Sequence, residues 1–106
     1  MSTWRRSARP FDEAQLRAFV REALSSGLVR EVPHSRIGRA HRKISNRDII
    51  HALEYEHWKL DREPLFDAGR ERWRYRIRSE DIEGDELILV ISPRVEKCLL
   101  EIVTKF

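Results

Sequence analysis

The sequence predicts an α+β domain in which two or three N-terminal helices pack on a three-stranded antiparallel β-meander. Three observations carry this. Apolar residues recur at helical spacing in the first half, at Leu16, Phe19, Val20, Ala23 and Leu24 and again at Ile49, Ile50 and Leu53. The period then changes, and Trp73, Tyr75 and Ile77 alternate with Arg72, Arg74, Arg76 and Arg78. Two more apolar segments follow, Leu87 to Ile91 and Lys97 to Phe106. The length, 106 residues, suits one domain over residues 11–106 behind a polar tail over 1–10.

Each element has a local reason. Asp12 with Gln15 three residues on resembles a capping box, Phe11 can staple onto the first turn, and Gly27 suits a left-handed helix end. Leu28 to Val32 is short and extended, and Pro33 breaks it. Ser35 to Arg42 is expected to be a second, weakly apolar helix. Ser45 N-caps a third helix, Asn46 to Trp58, with Ile49, Ile50, Leu53 and Trp58 on its buried side. Residues 59–71, punctuated by Pro64 and Gly69, are expected to be a loop. Trp73 to Ile77 is a half-buried strand with its arginines on the other face. Gly84 suits a hairpin turn, Leu87 to Ile91 is a central strand, and Lys97 to Phe106 is the third.

Composition narrows the function classes. No apolar run approaches a membrane span, and the N-terminus has no apolar signal core. The single cysteine, Cys98, forms no internal disulfide and builds no cysteine-based zinc site. A cytoplasmic protein is expected. Of 21 basic residues 17 are arginine, whose planar fork fits phosphate. Residues 1–53 hold eleven basic and five acidic side chains, whereas 54–106 hold ten and thirteen. That asymmetry suggests a basic patch facing an anionic partner.

The arginine row is the sharpest chemical feature. Side chains two apart on a strand lie about 6.5–7 Å apart, close to the spacing of phosphates on extended nucleic acid. The row serves either as an anion-binding surface or as structural charge paired with carboxylates such as Glu71, Glu80 or Asp81. The four histidines, His34, His41, His51 and His57, lack metal-ligand spacing, so neither a metal nor another cofactor is expected. There is no glycine-rich phosphate loop and no nucleophile elbow.

His34, Arg42, Ile44-Ser45, Asp48-Ile49, Ala52-Leu53 and the ending Ile102-Val103-Thr104-Lys105-Phe106 together resemble an uncharacterised toxin-like domain family. That family is similar to the RelE-like toxins. Gly27-Leu28-Val29-Arg30 and Tyr75-Arg76-Ile77-Arg78 also resemble the MqsR ribonuclease toxins. The resemblance implies a RelE-like fold and a metal-independent endoribonuclease that cuts messenger RNA and is silenced by an antitoxin. It implies His34, Arg42 and Lys105 as catalytic residues, and Arg39, Lys59, Arg74, Arg76 and Arg78 as contacts to RNA phosphates. The sequence departs from the patterns at Gly38 and Arg39, where the toxin-like family has arginine and methionine. It departs again at Leu87, near the catalytic tyrosine of MqsR. Two other readings stand beside this one. One is a DNA-binding helix-turn-helix over residues 35–58, read by Asn46, Arg47 and His51. The other is a non-catalytic interaction domain whose arginines meet an acidic protein segment.

Overall fold

The computed structural model describes residues 9–37 and 44–105, without the side chains of 33–37. Local sequence explains both helices. Helix α1 (Glu13–Ser26) starts at the Asp12–Gln15 capping box, with both reciprocal bonds formed. It ends at Gly27, whose φ of 69° lets its N–H reach the carbonyls of Ala23 and Leu24. Alanine there must adopt the left-handed conformation. Gly27→Ala is therefore expected to cost about 1 kcal/mol, measurable by chemical denaturation. Helix α2 (Asn46–Glu54) starts at a Ser45–Asp48 capping box. It stops at Tyr55, earlier than Trp58, although Trp58 is still buried beyond the helix end. Ile50, expected inside, is 37% exposed.

The sheet differs from the expected three-stranded antiparallel meander. Six strands form among the described residues: β1 (Val29–Ile37), β2 (Lys59–Leu60), β3 (Leu65–Asp67), β4 (Arg72–Glu80), β5 (Glu86–Arg94) and β6 (Leu99–Lys105). Their order is β1-β6-β5-β4-β2, and β3 also pairs with β4. The antiparallel trio β4-β5-β6 lies at the centre, but β1 joins β6 in parallel, so the sheet is mixed. The fold is α+β, with two α-helices among the described residues, and the RelE-like meander expected from the resemblance is not what forms.

Two local expectations fall with it. Residues 35–37 are strand, so no helix starts at Ser35. Residues 38–43 lie outside the described residues. In the helix-turn-helix reading, the first residues of its first helix, 35–37, are strand instead. Pro33 does not end the extended segment, because the parallel ladder with β6 shifts register between Glu31 and Arg36 and then resumes. An edge strand tolerates proline at such an irregularity. Residues 59–71 likewise hold strands β2 and β3, laid one after the other along the same edge of β4. At two and three residues they are too short for alternation to mark them.

The helices cover one face of the sheet: α1 packs on α2 and β6, and α2 on β4. Leu16, Phe19, Val20 and Ala23 of α1 meet Ile49, Ala52 and Leu53 of α2 over Tyr75, Ile77, Leu89, Ile91, Leu100 and Ile102. Ser79 Oγ donates to the Ala52 carbonyl at 2.6 Å, tying α2 to β4. Asp48 also accepts from Ile82 N–H, which holds the β4–β5 turn against the start of α2.

Candidate nucleic-acid interface

Strand β4 sorts its side chains by face. Tyr75, Ile77 and Ser79 are buried with the helices, which leaves Arg72, Arg74, Arg76 and Arg78 on the helix-free face. Four guanidinium groups in a row repel one another, and the fold answers with carboxylates from other elements. Arg74 meets Asp67 of β3 at 2.8 Å. Asp61, just after β2, bridges Arg76 at 2.8 Å and Arg78 at 2.9 Å, and Glu86 stands 3.6 Å from Arg78. Two carboxylates considered from the sequence have other work. Glu80 faces His51 at 3.5 Å, and Asp81 accepts from the Glu83 and Asp85 N–H groups in the hairpin turn.

The strongest of these centres is Glu101 on β6. Its carboxylate accepts from Arg30 at 3.1 Å and from Arg72, with Arg94 3.9 Å away. The residue is only 4% exposed. Burial pushes its carboxyl pKa up. The hydrogen bonds and charges of Arg30, Arg72 and Arg94 outweigh that, so the net shift is downward and Glu101 stays ionised. It clasps β1, β4 and β5 to β6 across the helix-free face.

The predicted site residues are not all brought together. Lys105 is buried, and its ammonium donates to Glu31 at 2.8 Å. His34 lies in β1, but its side chain, like all of Arg39 and Arg42, is outside the described residues. Lys59 is exposed in β2, in register with Arg78. Arg74, Arg76 and Arg78 share one face as expected.

Sequence reasoning missed three features along this edge. Arg62, after β2, and Arg70, in the β3–β4 turn, are exposed. With Lys59 they have no carboxylate within ion-pair distance among the described residues. A cleft of about 270 Å3 also opens at the Arg72 end of the row. Phe11, Trp73 and Tyr75 line it with Arg9, Arg70 and Arg72. The Tyr75 hydroxyl accepts from Phe11 N–H at 2.7 Å. Burial raises its pKa, and that backbone bond opposes the rise only in part, so it is a neutral phenol. Arginines interspersed with aromatics were visible in the sequence, but nothing there showed that Phe11 reaches Tyr75.

Among the described residues no group of three or more His, Cys, Asp or Glu side chains is placed to hold a metal ion. No described helix is long and apolar enough to cross a membrane. No family model, curated protein or solved structure matches the chain.

Proposed function

We propose that the chain binds single-stranded RNA along the helix-free face of β4 and the β2–β3 edge beside it, as the RNA-binding half of a toxin-type activity. One observation carries this reading. Lys59, Arg62 and Arg70, three cations without a carboxylate partner among the described residues, border a row of guanidinium groups at phosphate-like spacing. The row alone is close to neutral, because Asp61, Asp67, Glu86 and Glu101 answer its charges. The bordering cations supply the surplus that a polyanion needs. The test is fluorescence anisotropy with a labelled RNA strand over a range of salt. Affinity is expected to fall with salt, with a log–log slope of about −0.7 for each phosphate contacted. Absence of salt-dependent binding overturns the reading.

The ribonuclease step and the antitoxin partner rest on the sequence resemblance. His34 is the acid–base candidate, because histidine titrates near neutrality, and Arg42 is its electrostatic partner. Induced expression is expected to arrest growth with loss of RNA on a gel, and His34→Ala with Arg42→Ala to abolish both. Normal growth and intact RNA from folded wild-type protein overturn the toxin assignment. The self-neutralised row favours one second reading, a protein-interaction surface. Leu65 and Phe66 of β3, 71% and 48% exposed beside that row, would then supply the apolar contact.

A further inference from the structure

The cleft at the Arg72 end of β4 has features that a phosphate-binding surface does not require. Its lining is aromatic, from Phe11, Trp73 and Tyr75. Phe11 and Tyr75 are stacked with ring centroids 6.2 Å apart, and Phe66 meets Trp73 edge-on at 5.2 Å, so both walls are braced. Trp73 Nε1 is buried and has no hydrogen-bond partner among the described residues. A buried donor without an acceptor is costly, and a ligand that brings an acceptor removes that cost. Glu96 also lines the cleft and adds a carboxylate acceptor, and Arg70 adds a cation for phosphate.

A ligand that answers all of these is flat, carries a carbonyl oxygen for the indole N–H, has a ring N–H for a carboxylate, and bears a phosphate. Among nucleobases, uracil and guanine place a carbonyl next to a ring N–H, while adenine and cytosine do not. We infer that the cleft is a pocket for one unstacked keto base, uracil or guanine, of the bound RNA strand. Trp73 donates to the carbonyl, and Arg70 holds the flanking phosphate. This deepens the RNA reading and depends on it.

The test compares three strands of equal length and charge: oligouridylate, oligoadenylate, and oligouridylate with abasic sites. Base stacking alone contributes about 1–3 kcal/mol per base. The abasic strand is therefore expected to bind at least about tenfold more weakly than oligouridylate, with oligoadenylate between them. Trp73→Phe keeps the ring and its Phe66 contact but removes the N–H. It is expected to weaken oligouridylate binding about fivefold and leave the abasic strand unchanged. A thermal melt of the variant checks that it is folded. Equal binding of the abasic and intact strands, or of adenylate and uridylate, overturns the pocket and leaves the RNA reading standing. So does a folded Trp73→Phe that binds oligouridylate as wild type. No salt-dependent binding of any strand overturns both.

Discussion

Glu101→Gln is expected to lower the unfolding free energy by about 2 kcal/mol, measured by urea denaturation near neutral pH. The change keeps shape and an acceptor oxygen but removes the charge that Arg30, Arg72 and Arg94 share. Removing one partner of a fully buried pair costs about 3–5 kcal/mol. The figure here is smaller because the Arg30 side chain is 56% exposed and regains water. The pH dependence follows from the direction of the shift. The folded state holds the Glu101 carboxyl below its ordinary pKa. Its contribution is therefore complete above the ordinary carboxylate range and is lost as pH falls through the folded value. Wild type is expected to lose stability faster than Glu101→Gln on acidification, so the two curves converge at low pH. Parallel curves would show that Glu101 contributes by packing and not by charge.

Reversing Lys59, Arg62 and Arg70 together to glutamate is expected to weaken RNA binding about a hundredfold and to flatten the salt slope by about 2. These three are the clean probe of the surface. None has a carboxylate partner among the described residues, so each change should move stability by less than about 0.5 kcal/mol. Substituting Arg76 or Arg78 instead strips Asp61 of a partner and mixes folding with binding. Unchanged affinity and slope in the folded triple variant would remove this edge from the RNA path.

The sequence shows what neighbouring residues decide among themselves. The Asp12–Gln15 capping box and the Ser45 N-cap involve residues no more than three positions apart, and both form, the second as a capping box with Asp48. The two-residue alternation of β4 places its arginines on one face and its apolar residues on the other. What stays hidden depends on residues far apart in the chain. Pro33 argues for a break, yet β1 continues because β6 offers a ladder. Leu65 to Asp67 have no pattern of their own and become a strand only against Arg72 to Arg74. The candidate site divides the same way. The arginine row is plain in the sequence, but Glu101 lies 71 residues from Arg30, so the row's neutralisation was not visible. Lys105 stood out near the chain end, and only the position of Glu31 gives it an ion pair.

The parallel pairing of β1 with β6 also orders events during synthesis. Val29 pairs with Leu100, so the edge strand emerges from the ribosome roughly seventy residues before its partner. Until then β1 presents an unmatched row of backbone donors and acceptors. Helix α1 closes locally, and the β4–β5 hairpin needs only its own turn. The edge strand is therefore the last piece to be secured, and it is the segment on which a chaperone or a partner chain has the longest time to act.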